Sequence, residues 1–188
     1  MTGAPAQGPV AEPGTVGWEV RPARAEDAPG VAAAVAALVA ELGAAPPPRA
    51  AIEAEARAHI ADPALGIVLV AALPTLDPAS RSQFSPRCGE NCERTGVVGV
   101  LTASWARAIQ VAGRLLTIEV LWTRRDWRDR GVGAALVEAL AAAATAEGAG
   151  RVEVGLPRES FAALRATERF YLANGFERLG PRMRRAVP

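Results

Sequence analysis

Arg124-Arg125-Asp126-Trp127-Arg128-Asp129-Arg130-Gly131-Val132-Gly133 joins two segments of different periodicity. Before it, Leu115 to Thr123 is apolar and of strand length. After it, Gly133 to Glu147 is rich in Ala and Leu, with Leu136, Leu140 and Ala143 on one helical stripe. Two glycines let the backbone turn tightly and leave successive N–H groups uncovered by side chains. Those groups run on into the electropositive start of a helix, where an anion is favoured. Arginines at 124, 125, 128 and 130 add charge-assisted donors. Strand, bend and helix together describe a cradle for a diphosphate. Two other phosphate loops fail against it. One needs a Gly-Lys-Ser/Thr ending, and all 21 basic residues of this chain are arginine. The dinucleotide fingerprint needs a third glycine at position 136, which is leucine.

Upstream, Val97 to Trp105 and Leu115 to Thr123 flank an Ala112-Gly113 turn and read as a hairpin. Ile67 to Leu73 is a continuous apolar run, as in a strand buried on both faces. Between these, residues 74–95 lose all periodicity and read as a long variable loop. Trp18 to Arg21 is a short strand closed by Pro22, and Glu26 and Asp27 set negative charge at the start of a helix. That helix carries Val31, Val35, Leu38 and Leu42 on one stripe and ends at Gly43 and the Pro46-Pro47-Pro48 run. A weaker helix spans roughly Arg49 to Ala61. Downstream, Arg151 to Leu156 suits a strand. Glu159 to Ala173 suits a helix with Phe161, Leu164, Glu168 and Tyr171 near one face. A last strand is expected around Pro181 to Arg185. The order implies a mixed α/β sheet layered with helices. One domain is expected over 18–188, after a flexible tail over 1–17.

The 188 residues are half hydrophobic and 22% charged, so a core can form, and the net charge of +1 argues against nucleic-acid or membrane-surface binding. Apolar stretches stop far short of the ~20 residues of a membrane helix, and no targeting segment is evident, so a cytoplasmic protein is expected. Cys88 and Cys92 sit in the variable loop and His59 is the sole histidine. A four-ligand zinc site would need distant carboxylates, so no metal is expected. The two thiols read as free, or as an incidental loop disulfide. Without lysine, the chain offers no side-chain amine to a reactive acyl donor.

Arg128-Asp129-Arg130-Gly131-Val132-Gly133 resembles the Arg/Gln-x-x-Gly-x-Gly/Ala loop of the GNAT acetyltransferase superfamily. Val20-Arg21-Pro22-Ala23 with Glu26-Asp27 is similar to that family's opening strand and helix. Ile118-Glu119-Val120-Leu121-Trp122-Thr123 is similar to its central strand, and Phe170-Tyr171-Leu172-Ala173-Asn174-Gly175-Phe176 to its Phe-Tyr-x-x-x-Gly-Phe signature. The resemblance covers about Trp18 to Arg185. It implies a mixed, mostly antiparallel sheet flanked by helices, with splayed central strands that admit acetyl-CoA. It further implies that backbone at Trp122, Thr123 and Arg125 pairs with the pantetheine arm, while the amides of Arg128, Asp129, Arg130, Gly131, Val132, Gly133 and Ala134 hold the diphosphate. Three positions depart from the pattern. Leu164 stands where Asn is frequent, Arg125 where Pro is, and Asp129 where Gly is.

The implied reaction moves an acetyl group from acetyl-CoA to a primary amine of a small molecule or peptide, by direct attack in a ternary complex. An alkylamine with pKa ~10.4 is almost wholly protonated at neutral pH, so a base must take a proton. Glu119 is the candidate. Strand alternation sets it on the face of Leu121 and Thr123, and its apolar neighbours would raise its pKa. A structural carboxylate paired with an arginine such as Arg107 is the other reading. Tyr171, the sole tyrosine, falls on the family's tyrosine position and is expected to donate to the leaving sulfur; plain core packing is its other reading. The acceptor is expected to be chosen by roughly Glu41 to Asp62 and the segment near Trp105, where Glu41, Glu53 and Glu55 could attract a cation. A homodimer through the C-terminal strands is compatible with the sequence. A non-catalytic acyl-CoA-binding sensor or partner domain of the same fold is the alternative, and a nucleic-acid binder built on Arg124 to Arg130 is disfavoured by the net charge.

Overall fold

The computed structural model describes residues 17–74, 96–109 and 112–180. Within them the elements run β1 (Glu19–Pro22), α1 (Ala28–Glu41), α2 (Arg49–Ala61), β2 (Gly66–Ala72), β3 (Val97–Ala108), β4 (Gly113–Thr123), α3 (Val132–Ala146), β5 (Arg151–Val154) and α4 (Leu164–Ala173). The five strands form one sheet in chain order. The first four pair antiparallel, and β5 joins β4 in parallel, as the crossover through α3 requires. This is the mixed, mostly antiparallel sheet that the sequence implies. The final strand expected near Pro181, the tail over 1–16 and nearly all of the variable loop, with Cys88 and Cys92, lie outside the described residues.

Each face of the sheet has its own core. On one, Leu101, Ala103, Leu116 and Ile118 pack under Val132, Leu136 and Leu140 of α3 and Tyr171 of α4. On the other, Val68, Val70, Val100 and Trp122 pack under Ala28, Val31 and Ala34 of α1. Leu136 and Leu140 are almost wholly buried, each contributing about 1.5–3 kcal/mol relative to exposure. β2 is buried along nearly its whole length, in agreement with its unbroken apolar run.

Two features depart from simple periodicity. Thr102 pairs with Val120 but Ala103 with Ile118, so Glu119 is the extra residue of a β-bulge. The bulge changes the facing of β4: Leu116, Ile118 and Leu121 share the α3 side, while Val120 and Trp122 take the α1 side. The alternation of β4 therefore breaks at the bulge and is regular again from Val120 to Trp122. The last helix starts at Leu164, not Glu159, which leaves Phe161 in the turn ahead of it.

Candidate active site

β4 and β5 pair only from Leu115 with Arg151 to Ile118 with Val154. Past that point β4 continues to Thr123 while the chain leaves the sheet at Gly155, and the strands part. A cleft of about 800 Å³ opens there, with Ile118, Glu119, Leu121 and Thr123 on one wall and Val154, Gly155 and Leu156 on the other. The Arg124 N–H donates to the Val98 carbonyl (2.9 Å). Bonding alternates along an antiparallel ladder, so Trp122 is bonded to Val100 while Leu121 and Thr123 turn their N–H and C=O groups to the gap. The free edge thus belongs to Leu121 and Thr123. Trp122 spends its main chain on the sheet and buries its ring against α1; its indole N–H has no acceptor among the described residues.

Beyond Thr123 the chain makes a single 3-10 turn over Arg125–Trp127, anchored by the buried Trp127 ring. Asp129 and Gly131 then take left-handed φ values of +60° and +78°. Gly131 caps α3, and its carbonyl accepts the first helical bond from Ala135 (3.0 Å). The N–H groups from Asp129 through Ala134 make no hydrogen bond among the described residues. They are the unmet donors of a helix start prolonged by the bend. Gly133 lies against α4, where an added Cβ would come 3.3 Å from the Phe170 ring.

Of the four arginines, only Arg128 lines the cleft. Its Nε donates to the Thr123 carbonyl (3.1 Å) and its terminal nitrogen lies 2.8 Å from both oxygens of Glu41. Arg124 forks onto Asp126 (2.7 and 3.0 Å). Arg130 lies over the Trp127 ring, and the exposed Arg125 reaches Glu41 at 3.7 Å. Main-chain amides and one guanidinium therefore face the cleft, rather than the whole arginine run. Asp129 lines it as well, on the strained residue of the bend.

Glu119 and Tyr171 both reach the cleft. Glu119 is exposed, without the burial that its apolar sequence neighbours suggested, and no described residue bonds or pairs with its carboxylate. Arg107, the alternative partner, lies opposite Arg114 in the β3–β4 register instead. Tyr171 is buried, with edge-on rings of Phe170 at 5.3 Å and Phe176 at 5.2 Å. Burial pushes its phenol pKa up to about 12. Phe170 to Phe176 is thus an aromatic wedge between α4 and the sheet, with the one hydroxyl left over at the cleft.

Leu38, Glu41 and Leu42, at the end of α1, line the cleft, whereas α2 and Trp105 do not. The Trp105 ring lies under the Arg114 guanidinium at 3.8 Å. His59 faces Glu55 on α2, away from the cleft. Leu121 is not among the site residues expected from the sequence, whereas Glu41 is, as one of three glutamates that could attract a cation; its contact with Arg128 is not among those expectations. A signal existed for Glu41, since a carboxylate in a helix's last turn opposes the macrodipole. Among the described residues no three His, Cys, Asp or Glu side chains gather as metal ligands, and no helix is long and apolar enough to cross a membrane.

Residues 90–178 match the family model of the acetyltransferase (GNAT) domain. By sequence, no curated protein matches the chain. Among solved structures, the aminoglycoside N-acetyltransferase AAC(6')-Iy in complex with CoA has a TM-score of 0.69 at 13% identity, over 94% of this chain and 99% of that one. A possible acetyltransferase from Clostridium difficile 630 has a TM-score of 0.68 at 14% identity, covering 91% and 97%. The ribosomal-protein-alanine N-acetyltransferase from Brucella melitensis biovar Abortus 2308 has a TM-score of 0.62 at 15% identity, covering 91% and 99%. At such identities these likenesses speak for the fold, and the family model speaks for the segment that holds the parted strands, the bend and α3. Residues 90–178 thus form a GNAT acetyltransferase domain, on a fold that these solved structures share.

Proposed function

We propose that this acetyltransferase moves an acetyl group from acetyl-CoA to a primary amine of a small molecule or peptide, by direct attack while both substrates are bound. The observation that carries the reading is a strand edge turned to the cleft, followed by a stretch of unbonded amides, with the Thr123 carbonyl of that edge held by Arg128. The free edge at Leu121 and Thr123 leads into six consecutive amides, Asp129 to Ala134, that have no partner among the described residues. A Y-shaped gap with a strand edge suits the amide-bearing pantetheine arm, and the amides ahead of α3 suit a diphosphate. The bound coenzyme would supply an acyl group already activated as a thioester.

The chain's own residues then have three tasks. Main chain at Leu121 and Thr123 orients the arm, and Arg128 with the bend amides neutralises the diphosphate. The Glu119 carboxylate, exposed and without a partner among the described residues, takes the proton of the incoming ammonium directly or through a water. Tyr171 serves the sulfur as a hydrogen-bond donor. With its pKa near 12 against ~8.5 for a thiol, full proton transfer to a thiolate runs uphill, whereas donation of a hydrogen bond does not.

Calorimetry with acetyl-CoA, followed by thiol release with a panel of amines, tests this. Glu119→Gln is expected to lower kcat/KM by about 10²–10⁴-fold while acetyl-CoA affinity stays as in the wild type. Coenzyme binding that survives while Glu119→Gln and Tyr171→Phe leave every rate unchanged would favour the non-catalytic acyl-CoA-binding domain.

A further inference from the structure

Glu41 is the last residue of α1, where a carboxylate opposes the negative end of the helix macrodipole, and that turn holds no basic residue to offset it. The charge is met from the bend instead. Both oxygens of Glu41 lie 2.8 Å from a single nitrogen of Arg128, with Arg125 Nε 3.7 Å from one of them. Two oxygens crowded onto one nitrogen make a weaker pair than a fork-to-fork contact on two. Arg128 also holds the Thr123 carbonyl through Nε, so its guanidinium spans the helix end and the free strand edge. Both Glu41 and Arg128 line the cleft, beside the unbonded amides of the bend.

We propose that Glu41 is a masked binding residue for the acceptor amine: Arg128 covers it in the free protein and uncovers it by turning to the diphosphate of the coenzyme. The proposal rests on the reading of the cleft given above and adds the carboxylate that the ammonium meets. One guanidinium cannot neutralise a carboxylate and a diphosphate at once. The diphosphate carries the larger charge and is held by the neighbouring amides, so it draws Arg128. Glu41 is then left at a helix end that disfavours its charge, and a cationic amine relieves it. Coenzyme binding on one side of the cleft thereby prepares the amine site on the other.

Calorimetry on the full chain with coenzyme A tests the first half, using wild type, Glu41→Gln, Arg128→Gln and the double variant. Glu41→Gln is expected to bind coenzyme A roughly two- to fivefold more tightly, the range that release from an exposed ion pair provides. In the Arg128→Gln background the same substitution is expected to bring no gain. Phenethylamine and ethanolamine, assayed at saturating acetyl-CoA, test the second half: KM rises in Glu41→Gln with kcat little changed. A merely structural role would weaken both substrates together. Unchanged or weaker coenzyme binding by Glu41→Gln, or an unchanged amine KM, overturns the proposal and leaves the reading of the cleft intact. If the wild type binds coenzyme A but turns over neither amine, each amine is titrated into the coenzyme complex, and equal affinity for both proteins overturns it. A wild type with no affinity for coenzyme A removes both.

Discussion

Tyr171 is the only tyrosine of the chain, so its ionisation can be read directly from tyrosinate absorbance. The expected midpoint is about 12 in the folded protein and ~10 in denaturant. A raised folded-state pKa leaves this group's contribution to stability intact below pH ~10 and removes it as pH climbs toward 12, by about 2–3 kcal/mol in all. A folded-state midpoint near 10 would mean that the phenol is solvated and not wedged between Phe170 and Phe176. Tyr171→Phe keeps the ring packing and removes the donor. It should lower kcat roughly 10–100-fold, the worth of a hydrogen bond to a charged acceptor, without altering the pH profile below 10. Asp129 poses a different balance. Left-handed backbone costs a non-glycine residue about 1 kcal/mol, and glycine costs a similar amount in unfolded-state entropy. Asp129→Gly should therefore leave the melting temperature nearly unchanged. Its effect should fall on charge: acetyl-CoA binds more tightly, and calorimetry shows the gain shrinking as salt rises. A gain indifferent to salt would point away from the carboxylate.

At the scale of elements, the cofactor end of the fold depends on how closely α3 sits on β3. A Cβ at Gly99 would lie 2.7 Å from Val132 Cγ1 and 3.0 Å from Leu136 Cδ1. Val132 is the first residue of α3, and Gly99 is the register partner of Thr123. Gly99→Ala should then cost about 1–3 kcal/mol and tilt the helix start away from the strand edge. Acetyl-CoA affinity should fall even at temperatures where circular dichroism finds the variant fully folded; loss of stability alone would leave that affinity intact. Sequence pattern finds the sheet strands, α1, α2 and α3 because each buries one regular face or, in β2, both faces, a property written locally. The bulge at Glu119 was not legible, since an extra residue exists only relative to Thr102 and Ala103 on the partner strand. For the same reason the free edge was misassigned by one residue. Which of Leu121 and Trp122 spends its amide on β3 is decided by register, not by side-chain type. The bend before α3 could be read because its glycines and the change of period are local, whereas the pairing of Arg128 with Glu41 joins residues far apart in the chain.

Across the whole molecule, two cores on opposite faces of one sheet meet at the end of β4, and the cleft opens where β5 turns away. The α3 face supplies the anion cradle, and the α1 face supplies the wall at Leu38, Glu41 and Leu42. Keeping α1 in register with the sheet falls to a nearly enclosed ion pair at the other end of that helix. Asp27 accepts from Arg21 Nη1 at 2.6 Å and Nη2 at 3.0 Å, and from the Arg24 N–H at 2.7 Å. Its side chain is only 4% exposed and that of Arg21 19%. Asp27 in turn holds the Arg21 pKa above its usual value. Asp27→Asn removes the counter-charge and leaves a half-buried guanidinium, at a cost of about 3 kcal/mol, the low end for a broken buried pair because Arg21 keeps some water. For a chain of this length the melting temperature should fall by roughly 6–12 °C. Replacing both partners by apolar residues, Arg21→Met with Asp27→Leu, should recover part of that loss. Recovery should stay incomplete, because the Arg24 amide would then have no acceptor. Calorimetric melting of the three proteins decides it. A drop of a degree or two for Asp27→Asn would mean that the pair is solvated, and that α1 is held to the sheet by its apolar face alone.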